Sequence, residues 1–190
     1  IEDALAYIEA LSRQYLRASH PHSRSERNAN LPIPQANADP EPYQVNTLLH
    51  SIKRMFEAEA SEKSVAFRVI DCSCTIAQPP LILMRVLSNL VSNALQHAGE
   101  GVADSVADNK QSKVLVGCRR GADTVQFQVW DNGKGMSELQ VAQLFEPYAK
   151  GEHSTGEGLG LAICHSLAAE HGFGLAVQSQ QGRATCFSLT

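Results

Sequence analysis

The sequence has no surplus of positive charge. Over 190 residues, 16 Lys and Arg stand against 20 Asp and Glu, a formal net charge of -4. A chain without a basic stripe is a poor partner for nucleic acid, which is held largely through its phosphates. No apolar run approaches the ~18 residues a membrane-spanning helix needs, and no signal peptide is visible at the start. There is no cysteine framework either. Cys72, Cys74, Cys118, Cys164 and Cys186 are odd in number and irregular in spacing. Cys72 and Cys74 form a C-x-C pair, but no His or second Cys pair follows at zinc-site spacing. Reduced, mostly buried thiols are therefore expected. The first residue is Ile1 rather than Met, which suggests a piece of a longer protein.

What is present suits one globular core plus an appended segment: 43% apolar and 19% charged residues in a chain of domain length. In residues 1–18, Ile1, Leu5, Ile8, Leu11 and Tyr15 recur at helical spacing. One short helix cannot bury that stripe alone and wants a partner. Residues 19–42 hold five prolines and few large apolar side chains, the composition of a linker. The globular domain is expected over 43–190.

Within it, Val45, Leu48, Leu49, Ile52, Met55 and Phe56 predict a helix over 44–62, and alternation at Val65, Phe67 and Val69 predicts a strand. Pro79 and Pro80 open a helix to about Ala98, since proline suits the first helical turn. A polar loop runs from Gly99 to Gln111, and strands follow through Val114–Cys118 and Val125–Val129. Ser137 with Gln140 is a capping-box signature for a short helix. A helix from about Leu159 to Glu170 and strands at 174–179 and 184–189 complete the order. That order implies an α+β fold: a mixed sheet with helices on one face.

Three stretches carry chemistry. In the helix over 80–98, Leu83, Leu87, Leu90 and Ala94 form the buried stripe, while Asn89 and Asn93 stack four apart, with Gln96 and His97 one turn on. At roughly 100° per residue this polar row lies beside the apolar stripe, at the edge of the core. The asparagines either tie down neighbouring backbone or offer neutral oxygen ligands to a hydrated Mg²⁺. Second, Asp131-Asn132-Gly133-Lys134-Gly135 leaves a strand. Its glycines allow close backbone approach, and a carboxylate ending a buried strand needs donors. An adenine amino group is one; an ordinary Asx turn is the plainer alternative. Third, Gly156-Glu157-Gly158-Leu159-Gly160-Leu161 stands at a loop-to-helix junction, where exposed N–H groups and the helix dipole suit phosphate. It lacks the Gly-Lys-Ser/Thr of a Walker loop and the preceding strand of a dinucleotide fingerprint.

Taken together, these stretches resemble the GHKL ATPase superfamily, and within it the catalytic domain of bacterial sensor histidine kinases. NLVSNALQHA resembles the N box, WDNGKGM the G1 box, LFEPYAK the F box and GEGLGLAICHSLAAEHG the G2 box. GRATCFSLT resembles the closing strand, so the resemblance runs from about Tyr43 to Thr190. It implies the two-layer α/β sandwich of the Bergerat type, with ATP and Mg²⁺ as cofactors. Asn93 would coordinate the metal, with Asn89 assisting at the phosphates. Asp131 would accept from the adenine amino group, Gly133 and Gly135 would let the chain curve past the base, and Met136 would line its pocket. Lys150 would reach toward the phosphates. Gly156, Gly158 and Gly160 would frame them, with Leu159 and Leu161 in the same ATP-binding segment. Residues 148–157 would form a lid anchored by Phe145 and Tyr148.

Two departures matter. The family often has Lys or Arg where Gln96 stands, so one phosphate contact loses its charge, and His97 stands where Tyr or His is common. Relatives that hydrolyse ATP carry a Glu four residues before the metal-binding Asn. Here that residue is Asn89, which is no general base near neutral pH, so transfer to a protein acceptor is expected. The acceptor histidine of such kinases usually precedes an acidic residue. His20, His22, His50, His97, His153, His165 and His171 precede Pro, Ser, Ser, Ala, Ser, Ser and Gly. The acceptor is thus expected on dimerisation helices upstream of this chain, of which residues 1–18 resemble the end, and no catalytic residue is assigned within it. The resemblance further implies a cytoplasmic domain, a homodimeric full-length protein often anchored in the inner membrane, and a response-regulator receiver domain as downstream partner. A serine kinase of the anti-sigma type and a degenerate GHKL interaction module are the alternatives.

Overall fold

The computed structural model describes residues 41–98, 111–145 and 160–190. The helix expected at 1–18 and nearly all of the linker at 19–42 lie outside the described residues, as do most of the 99–111 loop and the 148–157 lid.

The chain enters through β1 (Tyr43–Gln44) and turns at once into α1 (Val45–Glu62). The predicted stripe is the buried one: Val45, Leu48, Leu49, Ile52, Met55 and Phe56 all lie in the core. Strands β2 (Ala66–Val69) and β3 (Thr75–Ile76) follow. The β1–β3 pair, antiparallel with Tyr43 opposite Ile76, was not legible from periodicity, because two residues carry no period. Next come α2 (Pro80–His97), β4 (Lys113–Arg120) and β5 (Val125–Asp131). A short α3 (Glu138–Gln143), α4 (Gly160–Glu170), β6 (Leu175–Gln180) and β7 (Ala184–Leu189) complete the domain. The capping box of α3 is formed: Ser137 Oγ accepts from the Gln140 N–H, and the Gln140 side chain accepts from the Ser137 N–H.

The five-stranded sheet has the order β2-β4-β5-β7-β6. Only β2 and β4 pair in parallel; the other neighbours are antiparallel, so the sheet is mixed as expected. Val114, Val116, Phe127, Val129, Phe187 and Leu189 point to one face and are buried with the apolar sides of α1, α2 and α4. No described helix is long and apolar enough to cross a membrane.

One expectation fails. Cys72 and Cys118 form a disulfide, with Cα atoms 6.4 Å apart across 46 residues of sequence. Spacing could not reveal it, because register on the sheet brings β4 beside the segment that follows β2. Cys74, Cys164 and Cys186 are free thiols, the first two buried.

Candidate functional site

Distant stretches converge where β5 ends beside the C-terminal half of α2. Along α2, Leu83, Leu87, Leu90 and Ala94 are 0–2% exposed. Asn89, Asn93, Gln96 and His97 are half-buried, at the edge of the core as the helical period requires. The Asn89 amide nitrogen donates to the Arg85 carbonyl at 2.9 Å, fixing the side chain against its own helix. Its Oδ1 lies 3.7 Å from where a Cβ on Gly160 would stand, so the start of α4 sits against this acceptor. Asn93 makes no side-chain hydrogen bond among the described residues. Of the two asparagines, one is tied to backbone and the other keeps its polar atoms available.

Asp131 closes β5, in register with Val114 on one side and Thr185 on the other. It is 4% exposed, and its Oδ1 accepts from the Gly133 N–H at 2.9 Å. The Asx turn considered as the plainer reading is therefore present. It uses one contact of a group able to accept about four. Burial pushes the Asp131 carboxyl up to about 6, against the opposing pull of the Gly133 N–H and the nearby His97. A buried carboxyl with most of its acceptor capacity unused is the arrangement that welcomes a neutral N–H donor.

The glycines of this turn are required by their surroundings. A Cβ on Gly133 would collide with the His97 carbonyl, the close approach that locks the turn onto the end of α2. Gly135 has φ +62°, and a Cβ there would collide with the Gln180 carbonyl. The turn is stitched to the β6–β7 hairpin by two further bonds. The Gly182 N–H donates to the Lys134 carbonyl at 2.6 Å, and the Met136 N–H donates to Ser179 Oγ at 2.8 Å. Met136 is half-buried against the core. Asn132 points back to β4, accepting from the Lys113 N–H at 2.6 Å and donating to the Gln111 carbonyl at 3.0 Å.

Sequence reasoning missed Thr185 and Ser179. Thr185 is 6% exposed beside Asp131, and its hydroxyl lies 3.0 Å from Ser179 Oγ. The signal was available: Thr185, Phe187 and Leu189 share the inward parity of β7, so Thr185 is a hydroxyl on a buried face.

On the far side, α4 starts at Gly160, and Leu161 packs on the core. Cys164 is buried with Sγ 3.9 Å from the Val86 carbonyl; burial pushes its thiol up to about 11, opposed by Arg85. The Phe145 ring, expected to anchor the first end of the lid, stacks on His165 of α4 at 4.6 Å. Lys150, Gly156, Gly158, Leu159 and Tyr148 lie outside the described residues. His97, Asp131 and Gly133 meet at one end of this helix edge and Asn89 and Gly160 meet about two turns away; Asn93 and Gln96 lie on the same helix between Asn89 and His97.

This architecture is an α/β sandwich with amides along one helix edge and a buried carboxylate at the end of a strand packed against that helix. Residues 78–190 match the family of histidine kinase-, DNA gyrase B- and HSP90-like ATPases, and the chain belongs to that family. It is 32% identical over 155 residues to the sensor protein EvgS of Escherichia coli O157:H7, covering 77% of this chain and 12% of EvgS. It is 31% identical over 147 residues to the sensor histidine kinase ZraS of Escherichia coli K12, covering 76% of this chain and 29% of ZraS. The chain thus spans well under half of these relatives. The catalytic domain of the histidine kinase ThkA superposes with a TM-score of 0.63 at 20% identity, over 78% of this chain and 93% of that one, which establishes the fold. Full-length ShkA, solved with AMPPNP, gives 0.64 at 26% identity over 78% of this chain and 30% of that one.

Proposed function

We propose that this chain binds Mg-ATP between α2, the Asp131 turn and the start of α4, as the catalytic domain of a two-component sensor histidine kinase. The observation that carries the reading is Asp131: a nearly unexposed carboxyl, joined to the Gly133 N–H and flanked by Thr185, at the mouth of a turn whose Gly133 and Gly135 tolerate no Cβ. Its remaining acceptor capacity suits the amino group of adenine. The residues also fit the metal. Asn93 is an accessible neutral oxygen donor without a protein partner among the described residues, the kind of ligand a hydrated, phosphate-bound Mg²⁺ accepts. Mg-ATP, when bound, supplies the electrophilic γ-phosphoryl group.

What the protein contributes is placement. Asp131 orients the base, Asn93 and Asn89 hold the phosphate end, and the positive end of α4 faces the same region. Asn89 also argues about the outcome. An amide cannot take a proton from water as a carboxylate can, so transfer to a protein side chain is favoured over hydrolysis. The acceptor is a histidine on dimerisation helices outside this chain, and a response-regulator receiver takes the phosphate onward. The longer protein is a homodimer whose catalytic domain faces the cytoplasm.

The test is to incubate the full-length protein with radiolabelled ATP and challenge the product with acid. Acid-labile, base-stable phosphate, abolished by Asp131→Asn, is expected for phosphohistidine. Acid-stable phosphate would identify a serine kinase instead. Absence of any label, with no nucleotide bound, would identify a domain kept for its interactions.

A further inference from the structure

At the other end of the sheet, the structure gathers three cysteines that play no part in the nucleotide site. The Sγ atoms of Cys72, Cys74 and Cys118 all lie within 4.8 Å of one another. Cys118 pairs with Phe127 while Val114 pairs with Asp131, which puts the cluster four residues along β4, roughly 13 Å at about 3.3 Å per residue. We propose that Cys72, Cys74 and Cys118 form a second site, for a thiophilic monovalent cation of the Cu(I) class, open when the Cys72–Cys118 bond is reduced.

The backbone around the cluster is already held. The Cys72 N–H donates to Asn46 Oδ1 at 2.6 Å, and the Cys74 carbonyl accepts from the Val45 N–H at 2.9 Å. Both residues of the C-x-C pair are thereby pinned to the first turn of α1, and the β1–β3 pair anchors the next two residues. Cys118 is held from the other side by the β4 ladder. Three sulfurs fixed by backbone rather than by long side chains lose little freedom on binding an ion.

Ligand type and number select the ion. Thiolates favour soft and borderline metals. Zinc in a closed site takes four ligands, and no His, Asp or Glu of the described residues joins the three sulfurs. Asp71, adjacent in sequence, turns instead to His50 at 3.0 Å. Three thiolates alone complete a trigonal Cu(I) site, with sulfurs about 4 Å apart if each metal–sulfur bond is about 2.3 Å. The observed cluster meets that spacing once the Cys72 and Cys118 sulfurs part. Access comes from a groove of about 910 Å³ lined by Cys74 together with Arg120, Phe127 and Phe173. Arg120 places a cation in the same groove, which offsets the negative charge of a tris-thiolate complex.

The chemistry balances with a dithiol as co-reactant. Two electrons from the dithiol break the Cys72–Cys118 bond, its two protons pass to the freed sulfurs, and the dithiol becomes a disulfide. Binding of the cation then releases the three thiol protons.

The experiment uses the whole chain, reduced with a phosphine under nitrogen and titrated with Cu(I) in competition with a chromogenic Cu(I) chelator. One ion per chain is expected, with three sulfur neighbours by X-ray absorption. Cys74→Ser keeps the disulfide pair but removes the third ligand, and lowers the affinity at least about 100-fold. Cys186→Ser leaves binding unchanged, and ATP titration of each variant reports whether the fold is intact. Failure of the folded, reduced wild type to compete with the chelator would overturn the proposal. So would equal binding by Cys74→Ser, or a preference for Zn²⁺ over Cu(I).

Discussion

The two ends of the sheet solve opposite problems. At the Asp131 end, the fold keeps a carboxylate out of water and forbids a Cβ at two successive glycines of one turn. At the Cys118 end, three soft, weakly polar atoms are surrounded by backbone hydrogen bonds that are already complete. Burying a carboxylate costs stability unless donors arrive, whereas burying thiols costs little. A buried carboxyl with unused acceptor capacity is the kind of group that a ligand donor can complete, and it stands at one end only. At the Cys118 end a ligand site would cost the resting fold little, because its thiols are packed and its backbone is already paired.

The largest expected effect breaks that contrast. Asp131→Asn should weaken ATP binding at least about 100-fold, on the order of 3 kcal/mol, because an amide can no longer serve as the anionic acceptor. The same substitution should make the unliganded fold more stable at neutral pH. Folding raises the Asp131 carboxyl to about 6, so the folded chain binds this proton more tightly than the unfolded one. Stability is therefore greatest below the ordinary aspartate range and falls as pH rises to about 6, by up to about 3 kcal/mol. Urea titrations of wild type and Asp131→Asn at pH 4 and pH 7 measure the difference. The advantage of the mutant should grow with pH, and a wild type that gains relative to the mutant over this window would contradict the burial account.

Glycine substitutions sharpen the comparison at a somewhat smaller scale. Gly135→Ala adds a Cβ at φ +62° against the Gln180 carbonyl, and should cost about 2–4 kcal/mol from strain and overpacking together. Gly172→Ala, at φ +73° with nothing within 4 Å of the added atom, should cost only about 1 kcal/mol. Equal costs in urea melts would show that the Asp131 turn is no tighter than a surface helix end. Smallest is Ser137→Ala, which removes the capping box of α3 and should cost about 1 kcal/mol.

Legibility in the sequence follows the same division. Long periodic elements were readable because burial imposes a period. The stripe of α2 and the alternation of β7 fix which atoms face the core, and the polar row of Asn89, Asn93 and His97 falls at its edge by geometry alone. The Asp131 turn was readable because its residues are contiguous. What escaped is what topology assembles. Cys72 and Cys118 meet only because β2 and β4 are neighbours, and Thr185 stands beside Asp131 only because β7 pairs with β5. No local pattern announces a partner supplied by sheet order. The β1–β3 pair escaped for a different reason, being too short to carry a period.

The central claim is that the α2–Asp131 corner is a nucleotide site, and calorimetric titration with ATP, with and without Mg²⁺, tests it most directly. The account predicts saturable binding by the wild type, tightened by Mg²⁺ in a manner that Asn93→Ala removes, and binding lost in Asp131→Asn although that variant remains folded. A wild type that binds no ATP at millimolar concentration, or an Asp131→Asn variant that binds as well as the wild type, would contradict it.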